Sequence, residues 1–315
     1  MTQRLKITAA VCTAALLLAG CRAVKNEESV SVSKLHTETV YTETESTPEE
    51  KTGQRLLPSS FYKEKSFRQH VSGAESYDFQ GEMHCATVPH HLTAGRLIAS
   101  LLKTASESRE KTDTVVVCAT MHFGKTDFMT TSYSDWDTPF GALECDRQLT
   151  KKLSDGIGAV SDDEAAALDH GIAALIPYIK YYFPDSEIVY TLIDNRADDG
   201  VPEKLTSLLK EMNGEKDCFF LFSADFSHYL VPEQTELHDR ETLKAVLEKD
   251  LGKIAKMTDS NVDSPFVLGT FTRLSCELGE SPVFLDRSNS LIMSGIPYNS
   301  VTYGEGLTSY FIFAA

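Results

Sequence analysis

The chain has 315 residues, with 30 lysines and arginines against 46 aspartates and glutamates, for a net charge of −16 at pH 7. A phosphate-binding surface needs clustered basic residues, so this balance argues against a nucleic-acid partner. Seven cysteines are present but no CxxC pair, which argues against a zinc ribbon or a thioredoxin-like site.

In chain order, residues 1–20 read as a secretory signal. Arg4 and Lys6 precede an apolar run over 7–18, followed by Ala19 and Gly20. The run is shorter than the roughly 20 residues that a membrane-spanning helix requires. The tetrapeptide Leu18-Ala19-Gly20-Cys21 resembles a bacterial lipobox. That resemblance implies lipidation at Cys21 and an extracytoplasmic protein anchored to a bacterial membrane; the other reading is a plain signal peptide with a coincidental cysteine. Residues 21–75 are rich in Glu, Ser, Thr and Lys and are expected to form a disordered tether, because so little apolar surface cannot offset the entropy of ordering. Leu56, Leu57, Phe61, Tyr62 and Phe67 mark its last part as able to lie on the folded domain. Residues 76–315 are expected to be one α/β domain.

Within that domain the pattern alternates. Strands are expected at 83–88, ended by Pro89, and at 114–119, an unbroken run rich in β-branched residues of the kind covered on both faces. Helices are expected at 94–106, with Leu97, Ile98, Leu101 and Leu102 on one face, at 149–153, and at 164–182, interrupted near Pro177. A strand at 188–193, a helix at 202–212 and a strand at 218–222 follow. Helices at 238–248 and 265–278 precede a closing strand pair at 299–303 and 307–313, which would form antiparallel edges. This alternation predicts a three-layer α/β fold, a mostly parallel or mixed central sheet with helices on both faces.

The residues after the strands carry the functional signal. His90 and His91 follow the first strand, His122 the second, Asp194 the third, and Asp225 and His228 the fourth. In a largely parallel sheet these carboxyl ends share one edge, where ligands bind. His90 and His91 are adjacent and point apart in extended chain, so one of them reaches the site. His170 is open at this level, as a site member or a structural residue. Ser223 and Ser227 flank Asp225, but no Gly-x-Ser-x-Gly elbow occurs.

The order Val88-Pro89-His90, Thr120-Met121-His122, Thr138-Pro139-Phe140-Gly141, His170-Gly171 and Ser223-Ala224-Asp225-Phe226-Ser227-His228 resembles the Memo family, whose bacterial members are labelled AmmeMemoRadiSam system protein B. The resemblance spans roughly residues 81–315 and implies a fold similar to class III extradiol dioxygenases. It matches His90, His122, His170, Asp225 and His228 to the family's motif positions. The family's cysteine ligand has no counterpart here. One alignment puts Leu268 in its slot and another puts Asp263, which is favoured because 261–265 is a polar loop opening a helix.

His90, His122 and Asp263 would then hold a divalent metal, iron(II) first, with zinc, manganese or copper as alternatives. Catalytic roles fall to His228 and His170 as acid and base and to Asp225 as the group orienting His228. Three function classes stay open: a metal-dependent redox enzyme acting on a small molecule, a non-catalytic metal or small-ligand binding lipoprotein, and a hydrolase using Asp225 and His228.

Overall fold

The computed structural model describes residues 56–123, 128–297 and 306–315. All of them belong to one compact unit, Lys51–Ala315. The signal peptide, Cys21 and the first part of the tether lie outside the described residues.

The strands in chain order are β1 (Leu56–Pro58), β2 (Cys85–Val88), β3 (Thr114–Thr120), β4 (Met129–Thr131), β5 (Asp135–Asp137), β6 (Val160–Ser161), β7 (Glu187–Ile193), β8 (Cys218–Ser223), β9 (Phe226–Leu230), β10 (Val283–Asn289) and β11 (Leu307–Ala314). The main sheet runs β10-β11-β2-β8-β3-β7-β4-β6, with β9 paired to β11. Its centre, β2-β8-β3-β7, is parallel, whereas β11, β10 and β4 join antiparallel. The fold is therefore α/β with a mixed central sheet, as the alternation predicts.

Strand β3 shows why the sequence folds this way. Val115, Val117 and Ala119 point into one hydrophobic cluster and Val116 and Cys118 into the other, so a run with no polar alternation fills both faces of the sheet. Helices Gly95–Ser108 and Ile176–Tyr182 cover the first face. Arg147–Ile157, Val201–Asn213 and Pro265–Glu277 cover the second.

Four expectations are corrected. First, the expected helix over 164–182 is three helices, Asp163–Leu168, His170–Ala173 and Ile176–Tyr182. The break falls at Asp169, whose carboxylate caps the second of them by accepting from Gly171 N–H at 2.8 Å. Pro177 instead sits in the first turn of the third helix, where its missing N–H costs no hydrogen bond. Second, β11 is interior, flanked by β2 and by β10, an edge strand whose polar Asp286, Arg287 and Ser288 hide it from a hydrophobicity reading. The strand expected at 299–303 lies outside the described residues. Third, the helix expected from residue 238 begins at Pro232.

The fourth concerns only the bound given to the tether, 75, which falls too late: its last part lies on the folded domain, as Leu56, Leu57, Phe61, Tyr62 and Phe67 indicate. Strand β1 pairs in parallel with β5, helix Glu64–Ser72 follows, and Leu57 and Phe67 are buried in the main cluster. The Phe67 ring lies 4.7 Å from that of Tyr178 and 5.0 Å from that of Phe140. Gly95 shows how closely this N-terminal arm is fitted: a Cβ there would come within 2.0 Å of His70 Nδ1. Phe67→Ala is expected to lower unfolding free energy by about 3–5 kcal/mol, as for other buried phenylalanines. Chemical denaturation checks this, because a change within about 0.5 kcal/mol is what a loosely attached segment would give.

Candidate metal centre

The parallel centre of the sheet sets the geometry. In register, Val88 faces Ser223, Ala119 faces Ser223 and Thr120 faces Ile193, so the four strands end at nearly one level. The residue two positions beyond each last strand residue is His90, Asp225, His122 or Asn195. All four meet the loop that carries Asp263, through direct contacts with Asp263 itself.

His90 is buried. The Ser223 hydroxyl donates to the Gly171 carbonyl at 2.6 Å, so its oxygen accepts from His90 Nδ1–H at 3.1 Å. That bond fixes the tautomer and leaves the Nε2 lone pair facing the centre. His122 is held in the same way. Its Nδ1–H donates to Asp169 Oδ1 at 3.0 Å, while Asp169 Oδ2 accepts from the backbone N–H groups of His122 (2.6 Å) and Phe123 (3.0 Å). The two free Nε2 atoms then converge on one atom, Asp263 Oδ2, at 3.3 Å from His90 and 3.9 Å from His122. Ligand atoms on one ion at about 2.0–2.2 Å stand roughly 3–3.6 Å apart, so this separation is close to a coordination shell.

Asp263 is positioned from several sides. Its Oδ1 accepts from Thr120 Oγ1 (3.0 Å), its Oδ2 from Asp225 N–H (3.1 Å), and its own N–H donates to the Asp225 carbonyl (3.0 Å). Asn195 Nδ2 donates to its carbonyl, and Ser264 next to it caps helix Pro265–Glu277. Leu268, the residue of the other alignment, is fully buried in the core one turn further on.

His170 completes a histidine cluster. One nitrogen each from His90, His122 and His170 lie within 4.8 Å of one another, and the His122 and His170 rings are 3.9 Å apart. Gly171 permits this approach, since a Cβ there would be 2.5 Å from the Thr120 carbonyl oxygen.

The electrostatics suit a cation. Burial, and then the neighbouring histidines, hold His90 well below the usual imidazole range. Burial and His122 bring His170 down to about 4. Burial pushes Asp263 up to about 7, and burial together with the Asp263 carboxylate holds Asp225 well above the carboxylate range. For His122 burial acts downward but is outweighed by Asp169 and Asp263, so its pKa is raised. Among the described residues no lysine or arginine pairs with Asp169, Asp225 or Asp263. Two crowded buried carboxylates beside the neutral imidazoles of His90 and His170 form a donor set that a divalent ion would relieve.

The remaining candidates sort differently. Asp225 accepts from His90 N–H at 3.1 Å and approaches His90 Nε2 at 3.6 Å. Among the described residues His228 Nδ1 is buried without a hydrogen-bond partner, so Asp225 does not orient it; the carboxylate serves the His90 loop instead. Ser223 is committed to Gly171 and His90, and Ser227 donates to Asp239 at 2.6 Å, so neither hydroxyl pairs with His228. His91 turns away to Tyr310, 2.7 Å from Nδ1 to the phenol oxygen. Asp194 is drawn off by Arg196, at 2.9 and 2.6 Å. Sequence reasoning missed Asp169 and Asn195. The available signal for both was position: Asp169 precedes a candidate histidine at a helix break, and Asn195 repeats the two-residue offset of His90, His122 and Asp225.

With this geometry in place, comparisons with known proteins agree with the sequence motifs. A family model described as "Memo-like protein" matches residues 69–305. A MEMO1 family protein of Methanococcoides burtonii is 30% identical over 174 residues, covering 54% of this chain and 64% of that protein. The MEMO1 family protein PAE0818 of Pyrobaculum aerophilum is 27% identical over 239 residues, covering 71% of this chain and 83% of that protein. The MEMO1 family protein Mbar_A1422 of Methanosarcina barkeri is 26% identical over 170 residues, covering 53% of this chain and 62% of that protein.

Proposed function

This chain belongs to the Memo-like protein family, and from that premise we propose that it binds one divalent metal ion through His90, His122 and Asp263 at the carboxyl edge of its central sheet. The observation that carries this reading is the convergence of two tautomer-fixed Nε2 atoms on one carboxylate oxygen, at 3.3 and 3.9 Å. Two histidines and one carboxylate leave coordination positions open and suit iron(II), ahead of zinc, manganese or copper. An ion bound there would supply Lewis-acid polarisation of an oxygen-bearing ligand.

The chain's own residues supply the rest. Ser223 and Asp169 keep both ligating rings in the correct tautomer. Asp225 braces the His90 loop and, through its backbone, Asp263. His228 has a buried Nδ1 with no hydrogen-bond partner among the described residues, and His170 lies against His122; in this reading these two groups hold or move a proton. The activity this arrangement supports best is redox chemistry on a small molecule, with metal binding without turnover as the second reading. The hydrolase reading loses its support here, because its Asp225–His228 pair is not hydrogen-bonded.

The Leu-Ala-Gly-Cys tetrapeptide supports an exported protein tethered to a membrane by lipid at Cys21. Among the described residues no helix is long and apolar enough to cross a membrane.

Elemental analysis of anaerobically purified protein tests the central claim. One divalent metal per chain is expected, and chain that binds no divalent ion above background on reconstitution would sink it. Oxygen uptake by the metal-loaded protein with small-molecule substrates then separates a redox enzyme from a binding protein.

A further inference from the structure

Beside the centre, on the side of the arm, lies a cavity of about 220 Å³. Phe61 and Phe67 of the arm form one wall. Leu92, two residues past His90, and Ala174 and Tyr178, in the segment after His170, form the other. None of His90, His122 or Asp263 lines it. Phe61 stands toward the metal centre, its ring 6.4 Å from that of His170. Phe61 and Phe67 precede residue 69, where the family match begins, so this wall is an addition made by the arm.

We infer that this cavity is a binding site for a small, uncharged, planar aromatic molecule bearing one hydroxyl group, separate from the metal ligands. Size and lining specify the ring. An apolar cavity of about 150 Å³ stays dry and binds benzene, so this one has room for a single ring and a substituent. The walls are largely aromatic, with the Phe67 ring 4.7 Å from that of Tyr178, and such faces favour stacked or edge-on partners over aliphatic ones. The polar end specifies the hydroxyl. His70 Nδ1 and the Tyr178 hydroxyl are 2.6 Å apart, and burial lowers the imidazole's pKa and raises the phenol's, so both stay neutral. The Tyr178 oxygen keeps acceptor capacity for one further O–H donor. Lys63 also borders the cavity, but its side chain is exposed at the mouth.

Ligand-observed NMR titrations of the full chain with phenol, benzoate and cyclohexanol test this. Phenol is expected to bind saturably with a Kd of about 0.1–1 mM, the range set by its few heavy atoms. Cyclohexanol and benzoate are expected to bind at least about tenfold more weakly, since one lacks a π face and the other brings a charge that the neutral His70–Tyr178 pair does not balance. Ala174→Leu fills the cavity and should weaken phenol by at least about tenfold at an unchanged melting temperature. Thr93→Leu narrows it from beside Leu92 if the first variant fails to fold. Phenol should still bind to His122→Ala, which makes the outcome independent of metal binding. The inference is overturned if phenol does not saturate, or if a folded cavity-filling variant binds it unchanged. It is also overturned if benzoate or cyclohexanol binds as tightly as phenol, or if His122→Ala abolishes binding and so places the ring at the metal.

Discussion

Alanine at Asp263 is expected to strip the metal from this protein, whereas alanine at His170 leaves it bound. Both residues stand within reach of His90 and His122, so the distinction rests on how each is held. Asp263 Oδ2 is the point on which both Nε2 atoms converge, and its carboxylate is fixed by Thr120, by Asp225 N–H and by the start of helix Pro265–Glu277. His170 lies ring against ring with His122, 3.9 Å between centroids, and among the described residues no hydrogen bond fixes the orientation of its ring. Removing one of three ligands also leaves the other two without a charge to balance the ion. Affinity should fall more than the ten- to hundredfold typical of losing a supporting residue around a metal. Metal content by elemental analysis, with circular dichroism to confirm folding, reads the result. Metal retained in Asp263→Ala and lost in His170→Ala would assign the site to the three histidines instead.

Asp169 carries the second large effect, although it touches no metal. One oxygen accepts from His122 Nδ1–H and Gly171 N–H, the other from the His122 and Phe123 backbone N–H groups. Asp169→Asn keeps the shape but places an NH2 group where one oxygen accepted. The variant should fold and bind metal about 10–100-fold more weakly, because the His122 ring loses its orientation and tautomer. Asp169→Ala removes every acceptor at once. Each buried donor left unpaired costs about 1–3 kcal/mol, so several kcal/mol of stability should go with the metal affinity. Metal titration and denaturation of the two variants side by side check the ordering. Equal metal affinity in Asp169→Asn and the unaltered protein would show that His122 does not depend on this carboxylate.

The arm shows where composition misleads. Residues 56–75 carry scattered apolar residues that mark the stretch as able to lie on the domain, but only Leu57 and Phe67 among them are buried. Whether such isolated apolar residues bury depends on a surface to receive them. That surface is built from Trp136, Phe140 and Tyr178, far along the chain, and from the absence of a side chain at Gly95. Strand β10 is a similar case, an edge strand with polar residues that acquires its identity only by pairing with β11.

Local pattern by itself determined the alternating strands and helices, hence the α/β class, because an apolar run such as 114–119 or 218–222 can be accommodated only between two covering layers. It also determined which histidines and carboxylates follow the strands, and so that a shared edge would carry them. The tertiary structure decided how those residues pair. Asp225 turns to His90 rather than His228, Asp169 rather than any strand-end group orients His122, Asn195 replaces Asp194, and Asp263 arrives from a loop more than 30 residues beyond the last of the parallel strands. Sequence order carries the chemistry of each side chain and its place along a strand. Which two side chains come within hydrogen-bond distance depends on strand register and on loops crossing from elsewhere, and those are settled only when the core packs.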